Sequence, residues 1–337
     1  MHIPDNYLSP STCAAMGAAM VPVWTKAIRK VKEEIPKAKI PLLGVGAAFS
    51  FLLMMFNVPL PGGTTGHAVG GTLLAVLMGP YAACISVTVA LFIQALLFGD
   101  GGILAFGANC FNMAFVLPFF GYYIYKFIKD HVRSEKGEYL GIILGSYAGI
   151  NVAALCAAIE FGIQPLLFKD GAGQALYCPY PLSVSIPAML IPHLLVAGIV
   201  EAVFTAAIVI YIKKVSPGTF YKGAKEKTRA VYGLVAGLIC FTPLGLLATG
   251  TAWGEWGTDE IKEVVSGGNA LGFVPHGMKE GFNFSAVMPD YAVSGLPEVA
   301  GYLLSAVAGV AIMIIFFKIL GNMKKDKAGN NVGSYRN

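Results

Sequence analysis

The sequence predicts an all-α integral membrane protein of about nine transmembrane helices, a seven-helix bundle followed by a two-helix module. Three observations carry this. Hydrophobic residues make up 56% of the 337 and charged residues only 13%, where a soluble domain carries roughly 25% charge. Apolar runs of spanning or near-spanning length recur along the chain, and basic residues gather in alternate loops between them.

In order, the apolar segments lie at 11–28, 40–57, 67–79, 81–98, 103–127, 139–163, 183–212, 230–250 and 300–320. A full crossing takes about 20 apolar residues. The third segment is too short to cross alone. It opens on Pro61-Gly-Gly-Thr-Thr-Gly-His67, so non-helical backbone is expected to enter the membrane there. Such backbone is tolerated only where protein or a polar cavity satisfies its polar groups.

Nine crossings place the termini on opposite sides. With the N-terminus outside, 21 of the 24 Lys and Arg residues fall in inner loops or at the C-terminal end, leaving Lys169, Lys262 and Lys279 outside. The positive-inside rule selects that orientation, with an extracytoplasmic N-terminus and a cytoplasmic C-terminus.

The composition shifts after the seventh segment. Residues 1–213 read as the seven-helix domain and 214–229 as a basic cytoplasmic linker around Ser216-Pro217-Gly218. Residues 230–322 read as a two-helix accessory module, and 323–337 as a flexible cytoplasmic tail. The module's outer loop is acidic, with Glu255, Asp259, Glu260, Glu263, Glu280, Asp290 and Glu298 against two lysines. Trp253 and Trp256 suit an interfacial aromatic belt.

The six cysteines form no C-x-x-C pair, and all but Cys178 lie in apolar runs. They read as packing residues rather than a disulfide framework or thiolate site. The first ten residues, Met1-His-Ile-Pro-Asp-Asn-Tyr-Leu-Ser-Pro10, lack a basic region followed by an apolar one. A mature chain starting at or near Met1 is therefore expected.

That expectation matters for chemistry. An α-amine on Met1, the amide nitrogen of residue 2 and the His2 imidazole bind one ion through small fused chelate rings, placing three nitrogens in one plane. A fourth nitrogen completes a square, which suits Ni(II) or Cu(II). A solvated terminal histidine explains His2 equally simply. Only five histidines are present, His2, His67, His131, His193 and His276. His131 and His276 fall in loops and read as solvated. His67 follows a glycine-rich turn on the side where the N-terminus lies.

The opening decapeptide and Pro61–His67 resemble the CbiM/NikM substrate-binding components of energy-coupling-factor cobalt and nickel transporters. So do Gln94-Ala-Leu-Leu-Phe-Gly-Asp-Gly-Gly102, Gly107-Ala-Asn-Cys-Phe-Asn-Met113 and Pro192-His-Leu-Leu-Val-Ala-Gly-Ile-Val-Glu201. The resemblance spans residues 1–213 and departs at Asn6, where the family more often has glycine. It implies that the ion is held by the Met1 amine, the His2 amide and imidazole nitrogens, and His67. It implies a prokaryotic inner-membrane location, a transmembrane coupling protein and cytosolic ABC ATPases as partners, and the metal ion as cargo rather than cofactor. Thr251-Ala-Trp-Gly-Glu-Trp-Gly257 and Phe284-Ser-Ala-Val-Met-Pro-Asp-Tyr291 resemble the accessory subunit NikN or CbiN. A merely stabilising addition is the other reading of that tail.

Polar residues in apolar segments usually face a bundle interior. Asn109 and Asn112, at i and i+3, are candidates to hydrogen-bond the folded-in N-terminus, with plain interhelical bonding as the alternative. His193 and Glu201 share a helix and read as a structural pair or buried network rather than a second ligand set. Asp100, between glycines, reads as a turn residue or helix cap. Ala14, Ala15, Gly17, Ala18 and Ala19 give the first helix a smooth face for an internal neighbour or the coupling protein.

No Gly-x-x-x-x-Gly-Lys-Ser/Thr loop is present, so uptake is expected to draw energy from partners. No nucleic-acid partner is expected. A membrane metalloenzyme built on His193 and Glu201 is disfavoured, since no H-E-x-x-H spacing exists. The planar nitrogen set slightly favours nickel over cobalt.

Overall fold

The computed structural model describes residues 1–216, 228–266 and 269–323. Most of the basic linker at 214–229 and nearly all of the tail at 323–337 lie outside the described residues.

Residues 1–9 precede the first helix as an extended, largely buried segment. Helix α1 spans Pro10–Glu34, with Ser9 Oγ accepting from Thr12 N at 3.1 Å and proline in the first turn. Both features favour a helix start there. Helix α2, Ile40–Met55, is buried along most of its length. Helix α12, Glu298–Met323, packs beside it closely enough that a Cβ on Gly44 would sit 2.9 Å from the Met313 carbonyl oxygen.

The glycine-rich run after α2 is not irregular, and here the all-α expectation needs correction. Strands β1, Val58–Leu60, and β2, Thr64–Gly66, pair antiparallel in the register Val58↔Gly66. Gly62 and Gly63 turn the hairpin at φ of 93° and 77°, a region open to glycine but costly for residues with a Cβ. His67 leaves the end of β2. Helix α3, Gly71–Met78, follows with eight residues, about 12 Å long and well short of a bilayer.

Helix α4, Pro80–Ile93, runs into a π turn over Gln94–Phe98. Helix α5, Phe106–Asn109, continues through a π segment, Cys110–Val116, into α6, Leu117–Val132. Helix α7 spans Glu135–Leu167, and its Gly141 lets α6 approach, since a Cβ there would meet the Tyr125 carbonyl oxygen at 2.8 Å. Helices α8, Leu182–Pro192, and α9, Gly198–Val215, join through a π turn at His193–Ala197. The module holds α10, Thr228–Phe241, the small hairpin β3–β4 at Val265–Ser266 and Asn269–Ala270, α11, His276–Glu280, and α12, Glu298–Met323.

Among the described residues, five helices are long and apolar enough to cross a membrane: 80–98, 135–167, 182–215, 229–247 and 298–322. The chain is thus a mostly helical, multi-span protein.

The module is fastened to the first domain through backbone groups. Tyr302 donates to the Met55 carbonyl at 2.7 Å, and Met288 N to the Leu97 carbonyl at 2.7 Å. Trp253 N donates to Thr64 Oγ1 at 2.7 Å, and Thr65 Oγ1 to the Gly250 carbonyl at 3.0 Å. The loop after α10 therefore lies across the β1–β2 hairpin that leads to His67.

Candidate metal centre

The N-terminal segment is threaded into the protein by bonds along its length. Ile3 N donates to Asn109 Oδ1 at 2.8 Å, and Asn109 Nδ2 returns a bond to the Ile3 carbonyl at 3.0 Å. Gly102 N reaches the same carbonyl at 2.8 Å. Asp5 accepts from Ile103 N at 3.0 Å and Leu104 N at 2.7 Å. Ser9 N donates to Gln164 Oε1 at 3.0 Å, and Cys178 N to the Tyr7 carbonyl at 3.0 Å. Met1, His2, Ile3, Tyr7, Leu8 and Ser9 are all buried in consequence.

Asn6 explains its departure from glycine. Its φ is 69°, in the left-handed region that asparagine tolerates better than most residues. Its side-chain amide donates to the Phe282 carbonyl at 2.8 Å and accepts from Phe282 N at 3.0 Å, tying this turn to the module.

That threading brings two imidazoles together. His2 Nδ1 and His67 Nε2 lie 3.3 Å apart. His67 Nδ1 sits 3.1 Å from the Ala68 carbonyl, which can only accept. The His67 proton therefore resides on Nδ1, and the Nε2 lone pair faces His2. Glu201, fully buried, accepts from Val69 N at 2.7 Å and Gly70 N at 3.0 Å, fixing the turn just beyond His67. Burial holds the His2 imidazole down to about 3, with the Met1 ammonium adding to that push. His2 is thus neutral at ordinary pH, the state a metal needs.

Two carboxylates border the pair. Asp100 Oδ1 is 3.0 Å from His2 Nδ1, and Glu255 Oε1, from the module, is 3.5 Å from the Met1 amine. Burial pushes the Glu255 carboxyl up to about 7, against the downward pull of that ammonium. These groups open onto a cavity of about 560 Å³ between the two domains, bordered also by Asp290, Tyr291 and Glu298. A larger cavity, about 970 Å³, opens at the far end of α9 around the ion pairs Lys129–Glu138 and Lys213–Glu138. It contains no imidazole or thiol and is remote from the paired histidines. Among the described residues no three His, Cys, Asp or Glu side chains are grouped to hold an ion. The nitrogens that come together here are the His2 and His67 imidazoles and those of the buried Met1–His2 backbone.

Several sequence expectations need correction. Asn112 does not join Asn109 at the N-terminal segment. The wider turn of the π segment takes it off that face, and its Nδ2 donates to Glu160 Oε2 at 2.8 Å. His193 and Glu201 do not pair, because eight helical residues separate them by about 12 Å along the axis. His193 Nδ1 bonds the Met189 carbonyl at 2.7 Å instead, and its ring shares a small crevice with Met1. Asp100 is no mere turn residue, since its side chain touches His2. Its place in the quoted 94–102 motif was the only signal of that. Glu255 stood out only as one acid of the outer loop and of the Thr251–Gly257 motif, and nothing tied it to Met1, 254 residues away. His276 is exposed beside Glu280, and His131 is exposed with Nδ1 on the Phe127 carbonyl.

Comparison with known proteins places this arrangement. Residues 2–219 match the CbiM model, described as a cobalt uptake substrate-specific transmembrane region, and residues 227–326 match the PDGLE domain. The probable fused nickel transport protein LarMN of Lactiplantibacillus plantarum is 52% identical, over 94% of this chain and 97% of that protein. The fused nickel transport protein NikMN of Rhodobacter capsulatus is 44% identical over 93% of this chain and 95% of its own. A crystal structure described as a truncated transition metal transporter is 59% identical and superposes with a TM-score of 0.60, covering 64% of this chain and 99% of that one. The chain belongs to the CbiM family of metal-transport membrane proteins and carries a PDGLE domain after its CbiM region.

Proposed function

We propose that this chain captures Ni2+ at the extracytoplasmic face, with Co2+ the second candidate, for ATP-driven import by an energy-coupling-factor complex. The observation that carries the reading is the approach of His2 Nδ1 to within 3.3 Å of His67 Nε2 beside the buried N-terminus. Around an ion with metal–nitrogen bonds of about 2.0 Å, nitrogens at right angles lie about 2.8 Å apart. Closing the remaining half ångström needs only small ring movements. The Met1 amine and the His2 amide nitrogen supply the other two corners, which requires the mature chain to begin at Met1. A planar set of four nitrogens favours nickel, as do the names of the LarMN and NikMN relatives. Cobalt is favoured by the family's description and by relatives named cobalt transport protein CbiM.

The chain is read as crossing the membrane about nine times with the N-terminus outside, supported by its basic inner loops. The 1–213 and 230–322 division is supported by the edges of the two family matches. A coupling protein finds a smooth docking face on α1, where Ala14, Ala15, Ala18 and Ala19 are exposed, whereas Gly17 packs internally against Gly107. The test is uptake of labelled nickel and cobalt by cells producing this chain with its coupling protein and ATPases. Nickel accumulation that needs all partners and fails in His2→Ala is expected. Accumulation of neither metal overturns the reading.

A further inference from the structure

The third residue of the module's Pro289–Tyr291 turn packs its ring into the first domain against Phe51 and Phe98. Asp290 and Tyr291 both adopt left-handed backbone, at φ of 53° and 60°, an uncommon state for a bulky residue and one that persists only where surroundings enforce it. Here Ser305 Oγ holds the Tyr291 carbonyl at 2.8 Å. The ring stacks on Phe98 at 4.7 Å and meets Tyr302 edge-on at 5.4 Å, leaving 7% of the residue exposed.

The hydroxyl at the end of that ring donates to Asp100 Oδ2 and accepts from Gln94 Nε2 at 2.9 Å. Gln94 Nε2 also donates to Asp100 Oδ2, at 3.0 Å. One carboxylate oxygen thus receives two donors, and the other, Oδ1, is turned to His2 Nδ1 at 3.0 Å. Asp100 stands between Gly99 and Gly101, both at positive φ, so no regular element fixes it. Its backbone amide donates to the Gln94 carbonyl at 3.2 Å, and its carboxylate is held by one amide from its own domain and one hydroxyl from the module.

We infer that Tyr291 is a positioning residue for His2, acting through Asp100 from the C-terminal module. A seated module holds Asp100 still, and Asp100 holds the His2 ring in the orientation that faces His67. Withdrawal of the Pro289–Tyr291 turn frees both, so the readiness of the metal-free site for an incoming ion depends on module seating; a bound ion takes the Nδ1 lone pair, and the Asp100 contact therefore acts before capture. The positioning is a matter of geometry alone. Its consequence for metal rests on the capture reading, and the experiment separates the two.

Tyr291→Phe keeps the ring and its stacking and deletes only the hydroxyl. In the full chain, purified in detergent with 15N-labelled histidine and no metal, this variant is expected to shift the His2 imidazole resonances. Those of His131 and His276 are expected to stay in place. Association with Ni2+ is expected to slow about tenfold, with one-to-one stoichiometry kept. Asp100→Asn is expected to do the same, and the double variant to add nothing, since the two residues act as one chain. Unchanged His2 resonances overturn the inference, as do additive effects of the two substitutions. A His2 shift in a chain that takes up no Ni2+ supports the positioning and overturns the capture reading instead.

Discussion

Extending the N-terminus by a Gly-Ser pair is the sharpest perturbation of this site. The extension converts the Met1 amine to an amide, removing one proposed metal ligand and the cation beside Glu255 at 3.5 Å. It also forces two residues into a place where Met1 is 5% exposed. Stranding a buried carboxylate costs about 3–5 kcal/mol. The Glu255 side chain is 23% exposed, so solvent screening reduces this to about 1–2 kcal/mol. Losing a nitrogen and its chelate ring adds at least about 1.4 kcal/mol, so the total is at least about 2.4 kcal/mol, or roughly 60-fold in affinity. Titration calorimetry of Ni2+ into the native and extended chains in detergent measures it. Affinities equal within a factor of three would refute an α-amine ligand, and with it the chelate.

His67→Ala is expected to weaken Ni2+ binding at least tenfold, about 1.4 kcal/mol, while His276→Ala changes little; equal effects in a binding assay remove any special role for His67. Nickel in the site is expected to be low-spin and yellow with four nitrogen neighbours, and X-ray absorption showing six oxygen-rich neighbours would sink that geometry. Because the folded His2 value is held near 3 against a usual 6.5, the unfolded chain binds the extra proton between those values. The His2 contribution to docking is therefore complete above about 6.5 and is lost as pH falls towards 3. Hydrogen exchange at the Ile3 amide should accelerate over that window, and exchange that is flat across it contradicts the burial argument. Deleting residues 230–337 leaves the proposed nitrogens in place but removes Glu255 and Tyr291. Metal binding should survive with slower loading, and complete loss of equilibrium binding would mean the ligands are misplaced.

The sequence alone was enough to identify a multi-span membrane chain, because lipid demands long apolar runs and interior polar residues stand out against them. It also singled out His2 and His67, since few histidines compete and one sits behind a glycine-rich turn. Local turn chemistry was legible in part. Gly62 and Gly63 announced a break, but not that the break would close into a hairpin delivering His67.

What only the tertiary structure decided are contacts between residues far apart in the chain. Helical periodicity put Asn109 and Asn112 on one face, and across the π segment Cys110–Val116 they found different partners, Ile3 and Glu160. Spacing suggested a His193–Glu201 pair, whereas Glu201 found the Val69 and Gly70 amides instead. Asp100 joined His2 because residues 1–5 thread beside the 99–104 turn. Glu255 and Tyr291 came to the site because the module's loops bond to the β1–β2 hairpin and to Leu97. Side-chain chemistry is written in the sequence residue by residue. Convergence of residues separated by nearly 100 to more than 250 positions follows from how helices and loops pack, and no local pattern encodes it.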